Sequence, residues 1–531
     1  MNRASLPFLI IAALAAVPAS ADAYCLEGTL RQDNTTTVRY DIPVYLLTSS
    51  TDFLGIPTAY VEHEIKMALD EWTENCDCNF RPYYAGLTTN SSSEGRVVVR
   101  QDMAADGIEC SSSATACEQT NHDYVPPFGY ARVGSQIWMV NDGSWWSLAS
   151  FRKIFTHEVG HAFGLEDTYA PHCSNGAYTN GGVMGSGALF NASSLGLDDQ
   201  LGMQALYGGR EYYLAHRQTT DLATWSPSIQ FDSTITPFDF PLGSSTSGAP
   251  HERLAFASNL TTPITTTTIA ACDNGSCTGV ERASMPLGSA TYNMVSVANK
   301  SADEFMVVYG QGETQTDGNR FLKWQITQDG GATFLDGFIV TASGWPTMTA
   351  HHGVTASYDQ RTDRYLVAWR RTSGQISLAS VQAEAPYQQG AITNTSYLTW
   401  RTPSVECTPQ AYVPTTDTCL LVWASDVGLH PIWRTRVGIF ASTGNPVASA
   451  SYGTSSLIAY GMPALTETRR TDYPWMIAAK QGNEIRAWKR TAGGNWTGSS
   501  SVAFGGVRLL SPSLSHAYDG ETAEIHVRYG W

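Results

Sequence analysis

In the stretch "FTHEVGHAFGLED", His157 and His161 stand four residues apart, with Glu158 directly after the first. On a helix, residues four apart share one face. Two imidazole nitrogens at that spacing can reach one divalent cation, and Zn²⁺ takes such nitrogens at about 2.0–2.1 Å. Glu158 projects to the neighbouring side, where it can contact a metal-bound water without ligating the metal. A catalytic zinc site usually draws three ligands from the protein and keeps a fourth position open for water. Gly164 allows a sharp turn after the helix, because glycine tolerates positive φ. Asp167 then arrives six residues after His161 and is the third ligand expected. Its rivals are Glu166, displaced by one residue so that its side chain turns away, and His172, which asks for a wider loop. The chemistry expected of this set is attack by an activated water, with the cation polarising a carbonyl and Glu158 carrying the proton.

These residues need elements to hold them. Residues 147–165, "SLASFRKIFTHEVGHAFGL", read as a helix that ends near Gly164. Residues 58–75 carry Val61, Ile65, Ala68, Leu69 and Trp72 at helical spacing, with Thr58 placed to cap. Strand patterns occupy 37–47, 96–101 and 135–142. A last short helix is expected over 197–208, with Asp198 or Asp199 at its start, where the helix dipole favours an acid.

The full pattern H-E-x-x-H-x-x-G-x-x-D resembles the metzincin clan of zinc metalloendopeptidases, in the Asp-ending variant of the snapalysin group. The likeness to a matrix-metalloprotease type of catalytic domain runs over about residues 35–209. It implies an α+β fold, zinc held by His157, His161 and Asp167, and Glu158 as general base. It also implies that Met184 in "GGVMGSG" forms a packing floor under the metal, and that Asp198 and Asp199 anchor the last helix to that turn. Substrate would be a protein or peptide, added in extended form to an edge strand at "SQIWMVND". Two features depart from the pattern. The first strand begins soon after the leader, which leaves no room for a substantial propeptide. The turn at Met184 lacks the aromatic often found after it, so no tyrosine is expected to act from this turn; Tyr169, close to the ligand loop, is read as a packed aromatic, with a helping role as the alternative.

From about residue 210 helical periodicity disappears. Six strand-like cores recur: "RLAFA", "EFMVVYG", "RYLVAWR", "CLLVWAS", "PWMIAAK" and "AEIHVRYG". Units of roughly 50 residues with several strands each suggest propeller blades. Six cores imply six blades, a pair of β-sandwiches being the other arrangement. Residues 211–230 supply the two strands that the C-terminal stretch lacks, so one blade would be shared between the ends of the region. "TQDGGATF" (327–334) matches the Asp-box turn seen in sialidase-like propellers, and "TTDLATW" is a degenerate cousin. Asp329 there would bond amides of its own turn.

The chain has 531 residues and a formal net charge of −16, which argues against a nucleic-acid partner. It begins with Arg3, an apolar run over 6–17 and small residues, as an export signal does, so cleavage is expected near residue 21 or 23. The expected organisation is therefore a leader (1–23), a zinc peptidase unit (24–209) and an all-β propeller (210–531), secreted to an extracellular or periplasmic space, with no membrane span. Ten cysteines in an exported chain imply disulfides. Three pairs look local: Cys110 with Cys117, Cys272 with Cys277, and Cys407 with Cys419. Cys25, Cys76, Cys78 and Cys173 are left open; Cys25 is also a candidate thiolate to plug the metal site. No motif calls for Ca²⁺, although it is a further cation such a protein could take. Two other functions compete: a carbohydrate-active or glycan-binding propeller with an accessory protease-like unit, and a non-catalytic adhesin. An intact Glu158 argues against the second.

Overall fold

A computed structural model of the chain describes most of residues 30–530. Residues 1–29, 32–39, 102–115, 168–182, 185–194 and 231–242, and shorter loop stretches, lie outside the description. The expected leader, Tyr169, His172, Cys25 and Cys173 fall there.

The N-terminal unit is a sheet with helices packed on it. Its strands are β1 (Leu30–Arg31), β2 (Tyr40–Leu47), β3 (Phe80–Thr88), β4 (Val97–Gln101), β5 (Ala116–Val125) and β6 (Gly129–Met139). The order is β1-β6-β4-β2-β3, all parallel, with β5 antiparallel along the other side of β6. Val97, Val98 and Val99 are all fully buried, as a continuous apolar run in a covered parallel strand should be.

Helix α1 spans Thr58–Asn75 and α2 Leu148–Ala162. Val61, Ile65, Ala68, Leu69 and Trp72 of α1 enter one core with Phe151, Phe155 and Val159 of α2. Pro57, not Thr58, holds the N-cap position of α1, and no side chain bonds there. Ser147 caps α2 in a reciprocal box with Ser150, which satisfies amides that the first turn leaves open. Arg152 of α2 meets Glu64 of α1 at 3.2 Å, both nearly sealed from solvent. A third helix, α3, spans Leu197–Tyr207.

The rest of the described chain is β-structure, so strands dominate the molecule. Six units of four strands can be traced among the described residues. The innermost strand of each rests against the next: Gly243–Ser245, Ala283–Asn299, Met348–Asp359, Ser404–Cys407, Ala464–Glu467 and Ser513–His516, which returns to Gly243–Ser245. That closed order is a six-bladed propeller. Serine hydroxyls tie neighbouring inner strands: Ser296 Oγ accepts from Ala356 N at 3.1 Å, Ser357 Oγ from Cys407 N at 3.0 Å, and Ser404 Oγ from Leu465 N at 3.2 Å. The ring is latched by its ends, since Ala523–Gly530 pairs with Tyr213–Thr219, which pairs with Ile229–Gln230. The expected apolar cores fall in the second strand of each unit. There the residues 475–480 and 419–424, for example, are buried throughout.

Cys407 and Cys419 stand opposite each other on paired strands and are bonded. Cys76 is bonded to Cys78, a pairing the sequence left open. Asp329 accepts from Thr333 N at 2.8 Å and from the Thr327 and Thr333 hydroxyls, which hold its carboxyl down to about 2. Asp221 makes the same kind of turn with Ala223 and Thr224, so both Asp boxes join the third and fourth strands of their blades. Both are structural turns. Among the described residues no helix is long and apolar enough to cross a membrane.

Candidate metal centre

Helix α2 places His157 and His161 on one face, and the chain's exit from the helix completes the site. Leu165 N donates to Gly160 O at 3.0 Å and Gly164 N to His161 O at 2.9 Å. This is a Schellman closure, which needs a left-handed residue, and Gly164 has φ +106°. The turn brings Asp167 back beside the histidines.

His157 Nδ1 bonds Val183 O at 2.8 Å, and His161 Nδ1 bonds Leu165 O at 2.8 Å. A carbonyl can only accept, so in the neutral rings each Nδ1 carries the hydrogen and each Nε2 its lone pair. Burial holds His157 below its ordinary value, against the pull of Val183 and Asp167, which keeps it neutral. The two Nε2 atoms stand 3.0 Å apart, and Asp167 Oδ1 lies 3.4 and 3.6 Å from them. One ligand atom from each of the three side chains lies within 4.8 Å of the others. Glu166 is not in that cluster, and His172 lies outside the described residues.

Met184, the expected floor, packs against α2 at Gly160. Asp199 Oδ2 accepts from Val183 N at 2.7 Å and Oδ1 from Met184 N at 3.3 Å, so α3 fixes the strap that orients His157. The Asp198 side chain is outside the description. Gly160 faces this floor: a Cβ there would lie 2.2 Å from Met184 Sδ and 3.0 Å from the Trp72 ring. Trp72 Nε1 is itself fixed to Thr156 O at 2.9 Å. Gly160→Ala is expected to cost about 1–3 kcal/mol, the usual scale of overpacking, measured by denaturant unfolding.

Glu158 is 6 % exposed, and its carboxyl is pushed up to about 8 by burial first, then by Glu118 and Asp167. Glu118 belongs to β5, an element the sequence did not reveal. The polar string "ACEQTNHDYV" has neither alternation nor an apolar run to mark it as a strand. The expected edge strand at 135–142 is corrected on the same ground. Ser135–Met139 of β6 is paired on both sides, by β4 and by β5, so β5 offers the outer edge among the described residues.

No family model and no curated protein matches the chain. Solved structures similar to it include the GH93 α-L-arabinofuranosidase of Fusarium graminearum in complex with arabinobiose, at 10% identity, 54% of this chain, 92% of that one and a TM-score of 0.36. A fungal Aleuria aurantia lectin with a six-bladed β-propeller fold matches at 10% identity, 52% and 84% coverage and a TM-score of 0.34. TolB from Acinetobacter baumannii matches at 10% identity, 95% and 96% coverage and 0.30. At these scores the likenesses carry no argument; the propeller rests on the chain's own strand order.

Proposed function

We propose that the chain is a secreted zinc-dependent endopeptidase of metzincin type, with residues 24–209 as the catalytic unit and the propeller at 210–531 as a holder of substrate, glycan or surface. One observation carries this reading. The Nε2 atoms of two imidazoles and a carboxylate oxygen converge beside a buried carboxyl. Two ring nitrogens 3.0 Å apart beside a carboxylate oxygen form a pocket suited to a cation, since each imidazole already spends its Nδ1 on a backbone carbonyl. A set of two nitrogens and one oxygen suits Zn²⁺, and the backbone carbonyls behind each ring orient the ligands as such sites require. Residues His157, His161 and Asp167 would hold the ion.

When bound, zinc would polarise the scissile carbonyl and make a water acidic near neutral pH. The chain's own groups supply the rest. Glu158 takes a proton from the attacking water and returns it to the leaving amine. The outer edge of β5 can receive an extended peptide as an added strand. The test uses the purified full chain: about one zinc per chain, hydrolysis of casein that a chelator stops, and no hydrolysis by zinc-loaded Glu158→Gln. A chain that takes up no zinc, or holds it and leaves casein and gelatin intact, sinks the reading.

A second reading places the chemistry in the propeller. Glu406 and Glu467 lie on adjacent innermost strands, and burial together with Glu467 raises the Glu406 carboxyl well above the ordinary range. A buried carboxyl of raised proton affinity beside a second carboxyl is one arrangement that glycosidic cleavage uses. Yet Glu406 and Glu467 are only 5 % and 1 % exposed, which gives a sugar no access and ranks this reading second. Release of arabinose from an aryl arabinoside by the parent, and not by Glu406→Gln, would reverse the ranking.

A further inference from the structure

The propeller and the N-terminal unit meet on the C-terminal half of α1. Glu71 of α1 is fully buried, and one of its oxygens, Oε2, accepts from the Arg401 guanidinium. Arg401 lies between the last strand of the third blade, Thr393–Leu398, and the first of the fourth, Ser404–Cys407. The other oxygen, Oε1, accepts from Leu195 N at 3.1 Å. Leu195 is buried in the core of the N-terminal unit two residues before α3. Asp199 of α3 then binds Val183 N and Met184 N, and Val183 O binds His157. A second tie between the two units, Lys480 of the fifth blade to Asp70 at 3.3 Å, sits one residue away.

We propose that Glu71 is a positioning residue of the metal centre: held by Arg401 of the propeller, it fixes the chain entering α3, and through Asp199 the strap that orients His157. The propeller is then a working part of the site's support as well as a holder of ligands. Removing Arg401 leaves a carboxylate buried without that cation. A buried charge in that position draws in water or moves, and both loosen its grip on Leu195. This inference rests on the zinc reading for its consequence, but not for its geometry.

The experiment compares the full-length parent with Arg401→Met, Glu71→Gln and Lys480→Met, by amide hydrogen exchange and by the rate of zinc loss to a chelator. In Arg401→Met, exchange at Leu195, Val183 and Met184 is expected to speed up tenfold or more, and zinc to leave about tenfold faster. Glu71→Gln, which still accepts from Leu195, is expected to fall between it and the parent. Lys480→Met is expected to match the parent at all three amides. Unchanged exchange at Val183 and Met184 in folded Arg401→Met overturns the proposal. So does the same acceleration in Lys480→Met, because it would report general undocking. If Arg401→Met yields no folded protein, Glu71→Gln carries the test by the same criteria, and parent-like exchange there overturns the proposal too. A parent that binds no zinc defeats the peptidase reading alone, since the exchange pattern still tests the positioning role.

Discussion

Glu158→Gln is expected to lower kcat/KM for peptide hydrolysis by about 10²–10⁴-fold, the range that a positioned proton carrier supplies, with zinc still bound. The glutamine side chain would occupy nearly the same volume and leave His157, His161 and Asp167 in place, so metal content separates lost chemistry from lost structure. The same substitution has a second effect in the metal-free chain. Burial, Glu118 and Asp167 hold the Glu158 carboxyl up to about 8, whereas an unfolded chain releases that proton near the ordinary value of 4.5. Between those pH values the folded state binds more protons than the unfolded one. The parent's stability should therefore fall as pH rises from 4.5 to 8. A tenfold change in proton affinity is worth about 1.4 kcal/mol, so the metal-free glutamine variant should gain a few kcal/mol on the parent at about pH 8. At about pH 4 the two should differ little. Denaturant unfolding of both apoproteins at the two pH values measures this. A variant that retains full activity, or a parent whose apo stability does not decline with pH, would show that Glu158 is not the buried proton carrier described.

How much of this was legible in the sequence depended on what each residue had to face. The α2 helix and the convergence of its histidines were readable because the ligand spacing and the helical period coincide, and because Gly164 marks the turn that returns Asp167. The propeller was readable through the second strand of each blade, which is buried on both sides and so prints a bare apolar run such as "CLLVWA". The innermost strands were not readable. Their residues include Ser296, Ser357, Ser404 and Glu406, which are buried yet polar because they bond the neighbouring blade rather than an apolar layer. Strand β5 was missed for a related reason: it lies along one edge of the sheet, and its polar residues print no apolar run. Glu71 was the least visible of all. Within α1 it reads as an ordinary solvated acid beside Asp70, yet it is buried between Leu195 of its own unit and Arg401, a residue 330 positions away. Sequence periodicity records which face of an element is covered by its own layer, and carries no sign of a distant loop that lands on the other face.

Asp167→Ala is expected to have the second large effect, and it tests the ligand assignment itself. Altering a group behind a metal ligand typically costs about 10–100-fold in affinity. Removing a ligand outright should cost at least the upper end of that range, about 100-fold in zinc affinity by chelator competition. Activity should fall with occupancy. The substitution also removes a negative charge that acts on two neighbours in the metal-free site. Glu158 should titrate lower, since Asp167 is one of the charges that raise it, and His157 should lose a favourable partner for its protonated form. A purely structural role for Asp167 would lower stability and leave zinc affinity unchanged. Asp167→Asn refines the point, because it keeps an oxygen at that position while removing the charge, and should lie between the parent and Asp167→Ala in affinity. The rivals are separated in the same series. Glu166→Ala and His172→Ala should bind zinc as the parent does. If either loses the metal while Asp167→Ala keeps it, the third ligand is not Asp167, and the turn at Gly164 must deliver a different side chain to the pair of imidazoles.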